Sequence, residues 1–548
     1  MTEQAPATAQ TPKSSGLIRS SMVYSAFTLI SRILGFARDL VLAYRLGASA
    51  TIAADAYNMA FSFPNLFRRI FAEGAFAAAF VPAYSKSLAT DGEEVADKLA
   101  ADAMATLAAA TLTITVIAEL TMPWLMYAIA PGFHGEKHDL AARLAQIMMP
   151  YLPCMAIYAH LSGVLNGRNR FILSAAAPIL LNLWTLAAVW PAKEPLQAAF
   201  YASWGVIVAG ISQAGLLWWG VRKSGARVDL LWPRLTPEIK ALILLAIPGT
   251  IAASATQLNI FISSILVSGV QGGRSWLAVC DRLYLLPQGL IGVAVGVALL
   301  PRLSRAVHAG DHDGGQAAID EAVVFTMALS LPAAAALVAM PFFLIDGLYT
   351  RGEFHAFDAQ QTAAALLQYG WGVPAFVISQ IFSRVFFASQ DTRTPMNYSL
   401  ISIGTNIVAG VALFQVIGVA GIAAGTSLAA WANVVLLAST MMRRGLWRPS
   451  AKAVSRLVRI LAASIALGAL AGFASHERPV IEHAIACARV GPLGPKEFAI
   501  LGVSFLIAAV YPLFLFASGG LTLGEARAAL RRRKGDAAAP VPEGPDLS

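Results

Sequence analysis

The chain has 548 residues, 57% of them apolar and 13% charged, whereas soluble domains carry about 25% charged residues. Its mean hydropathy is +0.64, and apolar blocks long enough to cross a bilayer recur from near residue 20 to near residue 518, which excludes a soluble domain. A transmembrane barrel would show short alternating segments instead, and the net charge of +9 reads as topology against an anionic inner leaflet, with no nucleic-acid partner.

Residues 1–16 are rich in Thr, Ala, Gln and Pro and lack a charged-then-apolar signal pattern. They predict a disordered tail, not a cleaved peptide. Apolar runs then predict 14 transmembrane helices, near 20–46, 53–84, 102–130, 142–165, 171–191, 196–221, 239–268, 275–301, 321–349, 361–388, 395–417, 419–442, 455–474 and 497–518. Lys and Arg concentrate on the segments that lie inside when both termini are cytoplasmic.

The end of span 2 reads Pro82-Ala83-Tyr84-Ser85-Lys86 and the end of span 8 reads Pro301-Arg302-Leu303-Ser304-Arg305. The turns after spans 4 and 10, Asn166–Arg170 and Ser389–Arg393, are spaced in the same way, about 220 residues apart. Spans 1–6 and 7–12 therefore read as two related halves. Six is an even number, so the halves share one topology and suit a V around a central cavity. The predicted organisation is a six-helix bundle over 17–222, a cytoplasmic linker over 223–238 and a second bundle over 239–442. A basic connector over 443–454, a two-helix appendage over 455–518 and a cytoplasmic tail over 519–548 follow. Arg531-Arg532-Arg533-Lys534 in that tail reads as a patch for anionic lipids.

Charge inside the spans carries the chemistry. Span 1 contains Ser31-Arg32-Ile33-Leu34-Gly35-Phe36-Ala37-Arg38-Asp39, and span 2 contains Pro64-Asn65-Leu66-Phe67-Arg68-Arg69-Ile70-Phe71-Ala72-Glu73-Gly74. An ionised side chain at bilayer centre costs at least roughly 2.5–3.5 kcal/mol, so such residues mark functional cavities by default. Arg32 and Asp39 are placed to share one helix face and Arg38 points elsewhere. Arg69 and Glu73 sit at i,i+4 and can pair, which leaves Arg68 for a ligand. Asp55 opens span 2, and Asp281-Arg282 lies just inside span 8. Arginine grips phosphate with a planar fork, so Arg32, Arg38, Arg68 and Arg282 point to a phosphate or diphosphate ligand. Asp39, Asp55, Arg69, Glu73 and Asp281 are supporting charges. The alternative for each is internal pairing that only locks helices together. Arg45 and Arg384 lie near span ends and snorkel.

Pro64, Pro150, Pro153, Pro287, Pro332 and Pro374 are expected to interrupt helices, as hinges or static kinks. Cys154, Cys280 and Cys487 have no metal or disulfide spacing. The sequence has no His-Glu-x-x-His and no Walker A loop, so neither a metal site nor a nucleotide-driven pump is expected.

The Ser31–Asp39 stretch, the Pro64–Gly74 stretch running on to Phe80-Val81-Pro82, and Asp281-Arg282 followed by Pro287 and Gly289 resemble the MurJ (MviN) family. These are bacterial lipid II flippases of the multidrug/oligosaccharidyl-lipid/polysaccharide exporter superfamily, and the resemblance spans residues 17–520. It implies a non-enzymatic transporter of the inner membrane that moves undecaprenyl-diphosphate-linked disaccharide-pentapeptide outward for peptidoglycan synthesis, by alternating access. It also implies functional arginines at Arg32, Arg38, Arg68 and Arg282, an acid at Asp55, and a groove for the polyprenyl tail on spans 13 and 14. Peptidoglycan synthases are possible partners. Members that bind sodium use an acid where this chain has Ser263, and Gly410 on span 11 supplies none either. The resemblance thus gives no cofactor and no sodium site there, and leaves membrane potential or an ion gradient as the drive. The alternative function is an exporter of the same fold for another polyprenyl-diphosphate-linked saccharide.

Overall fold

The computed structural model describes residues 14–72, 75–229, 231–244, 261–298, 311–389, 391–486 and 494–520, with the side chains of 14–25, 67–72, 75–78 and 289–298 not among them. The regular structure in these residues is helical. Ten helices are long and apolar enough to cross a membrane, and they coincide with predicted spans 3–6 and 9–14. Helices Ser14–Leu46, Ala53–Ala72 with Ala75–Thr90, and Gly273–Ala298 stand where spans 1, 2 and 8 are predicted. Glu73, residues 245–260 in span 7, Cys487 and the patch at 531–534 lie outside the described residues, as do most of both tails.

The helix Glu93–Ile129 shows why such a sequence needs lipid. Leu112, Val116, Leu120 and Trp124 recur every fourth residue and are exposed, Leu120 by 71% and Trp124 by 69%. Thr111, Thr115, Ala118, Met122 and Met126 on the opposite face are buried. An apolar stripe outside and a mixed one inside inverts the soluble pattern. The Thr111 and Thr115 hydroxyls each donate to the carbonyl four residues back at 2.8 Å, so neither is left unpaired in the bundle.

Prolines act in two ways. Pro150 separates Glu136–Met148 from Tyr151–Gly167, and Pro374 lies just inside Val373–Ala388 after the break at Gly372. Pro153 sits in the first turn of Tyr151–Gly167, where it removes no helical hydrogen bond. Pro64, Pro287 and Pro332, expected to interrupt their helices, lie within continuous ones. Span 9, expected as one helix over 321–349, breaks at Met340 into His312–Ala339 and Pro341–Tyr349.

Two compact units divide the chain: Met1–Val279 with Tyr349–Ala359, and Cys280–Leu348 with Gln360–Ser548. Within the first, Arg168 in the turn after span 4 donates to Tyr84 Oη at 2.8 Å and to Asp97 at 2.9 Å. The other Asp97 oxygen accepts the Arg227 backbone N–H at 2.7 Å, which fastens the linker to this bundle. Ala226, Val228, Ile239 and Leu242 continue into the same apolar core as Phe80 and Leu161.

Within the second unit, Asp320 accepts from Trp447 Nε1 at 2.8 Å and from the Ser450 N–H at 3.2 Å. Helices Arg393–Ile417 and Val419–Arg443 touch backbone to backbone. A Cβ at Gly425 would stand 2.6 Å from the Gly410 nitrogen, so only glycine fits. The last two long helices, Ala451–His476 and Pro495–Ser518, pack on each other and on His312–Ala339 through a core of Leu467, Ala471, Val503 and Ile507. Tyr511 Oη donates to the Ala328 carbonyl at 2.6 Å. Arg478, after Ala451–His476, pairs with Asp346 and with Glu482, the latter at 2.6 Å.

Candidate functional site

Helix Ser14–Leu46 carries three of the predicted charges. Arg32 is exposed, and no ion pair engages it among the described residues. Arg38 is buried, at 7% exposure, and its guanidinium donates to the adjacent Asp39 carboxylate through Nε at 3.1 Å and Nη2 at 2.8 Å. The expectation placed Asp39 on the Arg32 face. The long Arg38 side chain instead folds back along its own helix to reach the neighbouring carboxylate. Both nitrogens donate to the one oxygen, Oδ1, so the buried guanidinium has a carboxylate charge in direct contact. Asn182 Nδ2 donates to the Ser31 carbonyl at 2.9 Å and sets the register of this stretch against Pro178–Val189.

Arg68 and Arg69 lie in helix Ala53–Ala72, but their side chains are outside the described set, as is Glu73. Asp281 and Arg282 lie in helix Gly273–Ala298. Asp281 is half-buried and hydrogen-bonded to Tyr284, and the Arg282 side chain is exposed. Tyr284 stacks on Tyr369 with centroids 4.4 Å apart, which fixes that turn of the helix within the second unit.

Asp55 is completely buried. One oxygen accepts from Lys137 Nζ at 2.7 Å and from the Gly272 N–H at 2.7 Å. The other accepts from the Ser275 N–H at 3.0 Å and Ser275 Oγ at 2.8 Å. Asp55 thus caps the first turn of Gly273–Ala298, where backbone N–H groups and the helix dipole favour an anion. Lys137 also rests over the Phe133 ring at 4.3 Å. One turn along, Asn58 Nδ2 donates to Ser275 Oγ at 3.2 Å, and buried Arg274 donates to Ser62 Oγ at 3.1 Å.

Lys137, Arg274 and Ser275 were not singled out from the sequence. Lys137 and Arg274 sit at loop edges, where a cation reads as an ordinary surface charge. Their only signal was proximity to predicted span ends carrying Asp55 or Asp281. Ser263 is buried, and Asn406 is buried one turn before Gly410.

Among the described residues, ten helices long and apolar enough to cross a membrane, a buried carboxylate capping a helix start, and arginines inside the spans define a multi-pass membrane protein of the transporter class. The model of the family described as "Lipid II flippase MurJ" matches residues 42–482. A probable lipid II flippase of Rhizobium tropici is 38% identical over 529 residues, covering 94% of this chain and 97% of the relative. The chain belongs to the MurJ lipid II flippase family. Among solved structures, a lipid II flippase MurJ in an inward closed conformation superposes with a TM-score of 0.73 at 22% identity, covering 94% of this chain and all of that one. An inward-facing multidrug resistance transporter of the MATE family and MOP superfamily gives a TM-score of 0.66 at 14% identity, over 78% of this chain and 98% of that one. These two likenesses carry the fold.

Proposed function

We propose that this chain moves lipid II from the inner to the outer leaflet of the bacterial inner membrane by alternating access, with both termini cytoplasmic. The observation that carries the reading is membership of the flippase family, with the family model matching residues 42–482 and a relative aligned over 94% of this chain. A diphosphate needs cationic donors, and Arg32 and Arg282 are arginines on spans 1 and 8 that are exposed as whole residues. Arg38 and Arg68 complete the proposed ligand set. Asp39, Asp55, Arg69, Glu73 and Asp281 support it by balancing charge or holding helix ends.

The architecture in this reading is 14 spans, as two six-helix bundles over 17–222 and 239–442 with an appendage over 455–518. The appendage helices carry exposed Leu461, Ile465, Leu501 and Phe505, apolar surface that suits a polyprenyl tail. Anionic lipids meet the basic cytoplasmic segments. The empty cationic cavity resets under the membrane potential, which acts on each charge by about 2.3 kcal/mol per 100 mV.

The test uses cells depleted of the protein and lacking any second flippase. An externally added enzyme that cleaves the lipid-linked precursor reports how much is accessible. Precursor that accumulates and becomes protected from cleavage supports outward transport. Unchanged accessibility removes the cargo assignment.

A further inference from the structure

One carboxylate outside the expected set is as deeply buried as Asp55. Asp358, in the first turn of helix Ala356–Gly370, has no exposed surface. Its Oδ1 accepts from the Ser49 backbone N–H at 3.0 Å and from Trp276 Nε1 at 2.9 Å, and its Oδ2 accepts from the His355 N–H at 3.2 Å. No ion pair engages it among the described residues; three fixed donors and a helix N-terminus hold its charge instead. All four residues belong to the first compact unit.

These bonds join chain segments that are remote in sequence. Ser49 belongs to the turn between spans 1 and 2, Trp276 to the start of span 8 and Asp358 to the start of span 10. Further contacts follow the same seam. The Glu353 N–H donates to the Tyr44 carbonyl at 3.0 Å, and Gln271 Nε2 donates to the Ser49 carbonyl at 2.8 Å. Gly47, at φ +70, lies where a Cβ would be 2.5 Å from the Glu353 carbonyl oxygen. Backbone approach this close leaves no room for water between the Tyr44–Ser49 turn and the span 10 entry.

We propose that Asp358 is a gating residue: its carboxylate fastens the Ser49 turn to the entries of spans 8 and 10, and release of that bond opens the outward-facing side. The inference rests on the alternating-access reading above. A carboxylate suits this task better than a neutral acceptor. Closed, it is satisfied by three donors. Open, it is satisfied by water, so both states keep the group paired. The Trp276 bond lies within the predicted second half and survives opening. The Ser49 bond is the one that crosses to the predicted first half and must break.

The reporter is Asn58→Cys, which faces Ser275 across the same seam, in a chain with Cys154→Ala, Cys280→Ala and Cys487→Ala. A membrane-impermeant, charged thiol reagent is added outside intact cells. Asp358→Ala strands the Ser49, Trp276 and His355 donors in the closed form and should raise the labelling rate about tenfold, the effect of roughly one lost hydrogen bond. Asp358→Asn keeps an acceptor oxygen and should give an intermediate rate. Trp276→Phe, which removes only the bond within the second half, should label more slowly than Asp358→Ala. Labelling of Asp358→Ala at the parent rate overturns the proposal. Should that variant fail to accumulate, an unchanged rate in Asp358→Asn overturns it equally. Labelling needs no cargo, so faster labelling with unchanged precursor protection strikes the cargo reading alone. Unchanged labelling with normal transport strikes the gate alone.

Discussion

Asp97 and Asp320 hold the same place in the two predicted halves. Each takes a backbone N–H from the connector that leaves its own sixth span, Arg227 in one case and Ser450 in the other, and in both the donor follows the acceptor by 130 residues. The side-chain donors that reach the remaining oxygens differ: Arg168 and Tyr84 at Asp97, Trp447 at Asp320. The anchor is thus kept by position while its chemistry has drifted. This supports a parallel repeat more directly than the letters of the cytoplasmic turns.

Asp97→Ala and Asp320→Ala should loosen matching connectors. Each strands a backbone N–H and at least one side-chain donor, and each should lower stability by about 1–3 kcal/mol. Limited proteolysis should show new cleavage near 227 in the first variant and near 450 in the second. Cleavage at the other connector instead would remove the equivalence.

Arg38 distinguishes ligand binding from internal pairing. Arg38→Ala removes the cation beside half-buried Asp39 and should lower stability, by less than the loss of about 3–5 kcal/mol typical of a fully buried pair. Arg38→Ala with Asp39→Ala removes both charges and should restore membrane abundance. If Arg38 serves the lipid diphosphate, the double variant is abundant but fails to complement cells depleted of the parent. Full complementation by the double variant would assign Arg38 to helix packing.

Asp55→Ala should be among the most damaging single changes outside the arginine set. It removes an acceptor for four donors and leaves Lys137 beside an apolar ring. A loss of about 3–5 kcal/mol is expected from the uncompensated lysine and stranded N–H groups. Lys137→Met added to Asp55→Asn should recover part of it, read as thermal stability in detergent. No recovery would place the cost in the Gly272 and Ser275 bonds alone.

Asp391 supplies a pH signature on the side predicted to be cytoplasmic. The Thr394 hydroxyl, the Thr394 N–H and the Arg444 guanidinium hold its carboxyl well below the usual carboxylate range. A depressed acid stabilises the fold above its unfolded-state value and loses that contribution as pH falls through the folded one. Parent and Asp391→Ala should therefore differ most in thermal stability at neutral pH, and the gap should narrow on acidification below about pH 4. A gap independent of pH would mean that the hydroxyl bonds act without the charge.

The spans were legible because lipid demands long apolar runs, and ten of the predicted helices stand where hydropathy put them. The prolines divide: Pro150 and Pro374 stand at helix breaks, whereas Pro64, Pro287 and Pro332 lie inside continuous helices. The charged residues were found, but not their partners. Residues i and i+1 on a helix do not normally face each other, so the reach of Arg38 to Asp39 left no periodic trace. At Asp55 and Asp358 most donors are backbone N–H groups of Gly272, Ser275, Ser49 and His355, and a backbone donor has no letter of its own. Asp358 lies three residues before predicted span 10 (361–388), in a first helical turn that hydropathy did not reach.

The linker between the predicted halves is pinned at both ends to the same bundle, at Arg227 by Asp97 and at Ile239 by the apolar core. Between them, Trp232 and Leu235 stay exposed and Pro233 and Pro237 stiffen the path. It is therefore a strut and not a leash. A segment held at both ends moves with the bundle that holds it, and the chain stays within the first compact unit as far as Val279.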